Sequence, residues 1–166
     1  MRRCFLVLLL VGSLGLAQTA RKATTKGKST KAATHTASIT TPETVKWGDA
    51  PPVLSPGAQF AVLTGNPAGT GEYVVRLKMP DGFKIMPHWH PTQENVSVIS
   101  GEFHVGMGDK FDETGMQALQ PGSFAAMPAH MHHFAVAKGE TIVQVNGIAP
   151  FKLNYVNPSD DPSKKK

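Results

Sequence analysis

From Trp47 onward the chain alternates short apolar runs with Gly and Pro. The runs are rich in Val, Ile and Phe, which suit a pleated surface buried on one face. They predict strands at Gln59–Leu63, Glu72–Met79, Asn95–Ser100, Glu102–Gly106, Phe124–Met127, His133–Ala137, Thr141–Val145 and Phe151–Val156. No stretch keeps helical apolar spacing over ten residues. Short strands at this spacing point to an all-β sandwich or barrel. Ile99-Ser100-Gly101-Glu102 has the form of a two-residue hairpin turn, with Gly101 where a positive φ is needed. Such a turn pairs Val98 with Phe103 and Ser97 with His104. It sends Val98 inward and His104 away from the interior. Asp109–Glu113 reads as a charged, solvated connection.

Two segments before Trp47 break the pattern. Phe5–Leu16 is an apolar run behind Arg2 and Arg3, too short to span a bilayer comfortably. Gly15-Leu16-Ala17 supplies small residues for cleavage after Ala17. Residues 1–17 therefore read as an export signal, giving a periplasmic or secreted protein with no stable membrane insertion after cleavage. Arg2-Arg3-Cys4-Phe5-Leu6 partly resembles a twin-arginine signal. It lacks the usual preceding polar residue and following lysine, and the Leu-rich run favours export of an unfolded chain. Residues 18–45, rich in Thr, Lys, Ala and Ser, have no apolar periodicity and read as a flexible basic linker in which His35 is inert. One β domain is expected at 46–158, followed by a charged tail at 159–166.

Composition changes this picture little. The 166 residues are 40% hydrophobic, enough for one domain with a real core. The net charge of +5 comes from the ends, because residues 46–158 hold seven basic and nine acidic side chains. A nucleic-acid partner wants basic residues gathered on a folded face, and that pattern is absent. Cys4 is the only cysteine and would leave with the signal. The mature chain then has no disulfide, thiol nucleophile or cysteine ligand.

The candidate chemistry starts at Gly82–Gly101, which reads GFKIMPHWHPTQENVSVISG. In a strand, residues two apart share a face and stand about 6.6 Å apart. His88 and His90 can therefore aim at one point while Trp89 faces away. Glu94 shares their parity and reaches the same point if the chain stays roughly extended through Pro91. Two imidazoles and a carboxylate suit a divalent transition ion. A second cluster, Pro128-Ala129-His130-Met131-His132-His133, offers three more imidazoles, at least one of which can complete the site from a neighbouring strand. Phe83, Met86, Val96, Val98, Met127, Phe134 and Ala135 flank these residues and suggest an apolar surround. Gln144 and Asn146 can supply a hydrogen bond into it.

Gly82-x5-His88-x-His90-x3-Glu94-x6-Gly101 resembles the first cupin motif at every position. Gly122-x5-Pro128-x-His130-x2-His133 resembles the second, with His130 where the family has Gly and Ala137 where it has a polar residue. The resemblance covers roughly Trp47–Pro158. It implies a cupin-type jelly-roll β-barrel with one divalent transition ion (Fe, Mn, Ni, Cu or Zn) inside, held by His88, His90, Glu94 and His133. Counting from Pro128 selects His133, leaves His132 pointing oppositely and puts His130 at the barrel mouth. Replacing that glycine implies either a non-positive φ at His130 or strain. Glu94 is also the candidate catalytic base. The function implied is a metal-dependent, dioxygenase-like enzyme acting on a small enol, phenol or dicarbonyl substrate. The alternative is a non-catalytic, metal-dependent module that binds or senses a small molecule in the cell envelope. Exposed edge strands leave a homodimer open.

Overall fold

The computed structural model describes residues 37–165. The expected export signal with Arg2, Arg3 and Cys4, the linker as far as Thr36 with His35, and Lys166 lie outside the described residues. Among the described residues nine strands form: β1 Gly48–Asp49, β2 Gln59–Thr64, β3 Gly71–Met79, β4 Lys84–Trp89, β5 Glu94–Met107, β6 Gln117–Leu119, β7 Phe124–Met127, β8 His133–Ala149 and β9 Asn154–Tyr155. The helical elements among the described residues are short 3-10 turns, and every strand pairing there is antiparallel.

The architecture hangs on β5 and β8, which pair from Glu94↔Gly147 to Met107↔His133. Both strands bend midway. Before the bend, β5 lies between β7 and β8, and β8 carries β3 on its other side. After it, β5 lies between β6 and β8, and β8 carries β4. The same two strands thus run through two sheet faces, the device by which a jelly roll turns a corner and closes. The interior between the faces holds Val75, Leu77, Met79, Phe103, Val105, Val143 and Val145, all buried. Burying one such side chain contributes roughly 1.5–3 kcal/mol.

The expected hairpin at Gly101 does not form. The two strands predicted at 95–100 and 102–106 are one strand, and those at 133–137 and 141–145 are another. Ser100 pairs with Ile142 and Glu102 with Lys138 rather than with residues of β5 itself. A type I′ turn needs positive φ at both central residues. Only Gly101 has one here, at +75°, while Ser100 does not. Gly101 instead forms a bulge at the corner. The Thr141 hydroxyl, fully buried, donates to the Glu102 carbonyl at 3.1 Å.

The bulge reverses the inward parity of β5. Val96 and Val98 point inward before it, Phe103 and Val105 after it. That reversal, not a hairpin, turns His104 outward, where it pairs with Glu102. A second parity change in β4 lies between Ile85 and His88, where the pairing register with β8 shifts. It brings His88 inward behind Ile85. Asp109–Glu113 is more than a solvated connection. Phe111 packs on Phe134 at 5.3 Å, and Glu113 pairs with Lys84 at 2.7 Å and Lys138 at 3.0 Å. Phe134 itself lies over Gly106 on the paired strand, where any Cβ would overlap its ring.

Gly101→Ala should lower stability by about 2–3 kcal/mol, because it adds left-handed strain and drives a Cβ into the Glu140 carbonyl and Thr141. Gly71→Ala, with φ +85° but open space around its Cβ, should lose about 1 kcal/mol. Urea midpoints at unchanged slope measure the difference.

Candidate metal centre

The site lies between the two sheet faces at the end of the barrel where β4 stops and β5 and β8 begin. His88 is in the last turn of pairing of β4, directly opposite His133 at the first position of β8. His90 follows β4, and the chain bends through Pro91–Thr92 before Glu94 opens β5. Glu94 therefore arrives by a bend, not by the continuous extended run that its spacing suggested. His88, His90 and His133 are 3%, 6% and 4% exposed, and one ring nitrogen of each lies within 4.8 Å of the others. The Glu94 carboxylate faces this group, with one oxygen 3.5 Å from His90 Nε2 and the other 3.4 Å from His133 Nε2.

All three imidazoles are oriented by main-chain carbonyls. His88 Nδ1–H donates to Met86 O at 2.8 Å, His90 Nδ1–H to Lys152 O at 2.8 Å, and His133 Nδ1–H to Met131 O at 3.0 Å. A carbonyl can only accept, so each bond places a proton on Nδ1 and leaves Nε2 as the free donor atom. His90 Nε2 is buried without a hydrogen-bond partner among the described residues, its 3.5 Å approach to Glu94 lacking hydrogen-bond geometry. Burying a polar atom without a partner is unfavourable unless something else satisfies it. Three converging Nε2 atoms with a carboxylate beside them fit a divalent transition ion.

Burial, and then the neighbouring His133 and His90, push the His88 imidazole down to about 3. Burial, the largest influence, raises the Glu94 carboxyl, but the imidazoles of His90, His133 and His88 around it lower it whenever they carry a proton, and the net shift is below the ordinary carboxylate range. A neutral imidazole and an ionised carboxylate are the protonation states a metal site would need.

Around the site the walls are apolar. Leu54, Phe60, Ile85, Phe103, Phe151 and Leu153 line a cavity of about 40 Å³. One water needs roughly 10–15 Å³ on this measure, so the space takes a few atoms and not a large ligand. Of the flanking residues expected from sequence, Val96, Met127 and Ala135 line the cavity. Phe134 packs on Phe111 instead. Gln144 and Asn146 do not reach it. They alternate with the inward Val143 and Val145, so they face outward, where Gln144 accepts from Arg76 at 3.3 Å. Phe151, Leu153 and the Lys152 carbonyl were not anticipated. Main-chain carbonyls carry no sequence signal, and the 151–153 segment resembles an ordinary apolar run.

The two remaining histidines of the second cluster sit elsewhere. His132 pairs with Asp109 at 2.6 Å. His130 has φ +64°, the strained alternative at the position where the cupin motif has glycine. Its N–H donates to the His90 carbonyl at 2.8 Å, and its ring lies 4.9 Å from Trp89.

The sequence pattern of the family described as "Domain of unknown function (DUF4437)" matches residues 17–150. No curated protein matches the chain. Solved structures do. KdgF from Halomonas sp. is 25% identical, with a TM-score of 0.53, over 69% of this chain and 96% of its own. An RmlC-like cupin from Shewanella frigidimarina is 21% identical, with a TM-score of 0.52, over 68% and 91%. The polyketide cyclase RemF from Streptomyces resistomycificus is 17% identical, with a TM-score of 0.62, over 78% and 92%. The fold is the all-β cupin-type jelly roll, and the three-histidine group is one that can hold a metal ion.

The metal-free protein should lose stability as pH falls from about 6.5 towards 3. In that window the unfolded chain takes up a proton that buried His88 refuses, so unfolding is favoured. Glu94, held below its ordinary range, adds a loss of the same sign at the acid end. Thermal melts of chelator-treated protein across this range check the sign.

Proposed function

The chain belongs to the family described as Domain of unknown function (DUF4437), and on that premise we propose that it is a small, exported, metal-dependent cupin enzyme. Its reaction is of the oxygenase type, on a compact enol, phenol or dicarbonyl compound. The observation that carries this reading is the buried, unpartnered His90 Nε2 beside two further imidazoles whose tautomers are pinned the same way. His88, His90, His133 and Glu94 would hold one divalent ion. Such an ion, when bound, supplies Lewis acidity and open positions for oxygen donors. Glu94 is the one carboxylate lining the cavity and is ionised, so it is the group able to take a proton from an enol or phenol hydroxyl. The surrounding Leu, Ile and Phe side chains exclude water and strengthen the field of that charge. The small cavity favours the enol and dicarbonyl end of the range, because an aromatic ring needs the wall to yield. Support for export is the apolar run Phe5–Leu16 behind Arg2 and Arg3.

The same smallness, and the lack of a second acid among the lining residues, favour one other reading: a module that binds or senses a small molecule without turnover.

Elemental analysis of the purified chain should find one transition ion per chain. His90→Ala and His133→Ala should each weaken binding more than about 100-fold, as judged by competition with a chelating dye. The loaded protein should consume oxygen with a member of an enol and diketone panel. Uptake unaffected by Glu94→Gln would remove the base assigned here, whereas a thermal shift with no product would favour the binding module.

A further inference from the structure

Glu94 has a neighbour that neither cupin motif contains. In the sheet formed by β3, β8, β5 and β7, one row of residues runs Tyr73, Gly147, Glu94, Met127. Residues in such a row share a face, and neighbouring strands are about 4.8 Å apart. The middle position has no side chain. The Tyr73 ring fills the gap: a Cβ built on Gly147 would stand 2.5 Å from the Tyr73 hydroxyl oxygen and 2.8 Å from the ring carbon that bears it. The tip of the phenol therefore lies over Gly147 on β8, the residue that pairs with Glu94 on the next strand.

The ring is held in that pose. Tyr73 is 4% exposed and meets Phe151 edge-on at 6.0 Å, and Phe151 in turn lies 5.9 Å from the His90 ring. Tyr73 is not among the residues lining the cavity, whereas Glu94 and Phe151 are. It stands one layer behind the carboxylate. Its hydroxyl is a hydrogen-bond donor.

We propose that Tyr73 is the positioning residue for Glu94, its hydroxyl reaching over Gly147 to hold the carboxylate oxygen that does not face the ion. Both Glu94 oxygens turn towards histidines, at 3.5 and 3.4 Å. An ion that takes up the Nε2 atoms leaves one of those oxygens without its imidazole partner. The phenol is the donor next in line. This inference rests on the metal reading above and assigns its supporting layer. Outer partners of this kind typically change metal affinity by 10–100-fold.

The test uses the full chain titrated with Co(II), whose visible spectrum reports ligand arrangement. Tyr73→Phe keeps the ring and removes the hydroxyl. It should keep the melting temperature of the metal-free protein within a few degrees, weaken Co(II) binding about 10-fold and alter the visible bands. In a Glu94→Ala background the same change should have little further effect on whatever affinity remains, because the accepting oxygen is gone. Unchanged affinity and bands in Tyr73→Phe would overturn the assignment, as would an undiminished loss in the Glu94→Ala background. If Tyr73→Phe fails to fold, Gly147→Ala gives the same readouts, since it leaves Tyr73 in place but drives its hydroxyl aside. A wild-type chain that binds no Co(II) overturns the metal reading and this one with it.

Discussion

The full-length antiparallel pairing of β5 with β8 is the constraint on which everything else depends. One ladder supplies the spine of both sheet faces, so the corner it turns decides which residues meet inside. Gly101 makes that corner. Its positive φ and missing side chain let β8 pass close by, and the buried Thr141 hydroxyl closes the main-chain polar groups that the bend disturbs. β3 attaches to this ribbon along its whole length, and β4, β6 and β7 by shorter pairings. The candidate metal centre follows from the same ladder, because β5 contributes Glu94 at its start and β8 contributes His133 at its own, on opposite ends of one antiparallel pair. Only the curvature of the ribbon brings those two ends to one place.

At the centre, direction matters more than proximity. Three imidazoles in an apolar cavity can present either nitrogen. The three carbonyl partners remove that freedom and turn all three Nε2 atoms inward. Two of the carbonyls lie two residues before the histidine they orient, a local arrangement that a strand end readily makes. The third comes from Lys152 and ties the C-terminal segment to the first motif.

The sequence revealed much of this, unevenly. His88 and His90 were legible because strand parity is a local rule. Glu94 was legible in kind, though its route to the site is a bend rather than an extension. His133 could be chosen from its cluster only through a family resemblance, since nothing local separates it from His130 or His132. The Gly101 bulge was misread as a turn because the same tetrapeptide suits both, and the choice depends on a partner strand some forty residues away. Gln144 and Asn146 were misplaced against their own alternation with Val143 and Val145, which already faced them outward. The parity change between Ile85 and His88 left no sequence mark beyond Pro87, and the role of Lys152 lies in an atom every residue has.

His90 is joined at three points: its ring to the Lys152 carbonyl, its own carbonyl to the His130 N–H, and its Nε2 towards the centre. A chain whose lone cysteine is Cys4 has no internal covalent cross-link. An ion seated here would act as the missing rivet, fastening the side chains of segments near 90 and 133 that are otherwise joined only by strand pairing and hydrogen bonds. Local fraying at that rim would then be tied to metal release, making the barrel's durability a property of its cargo as much as of its core.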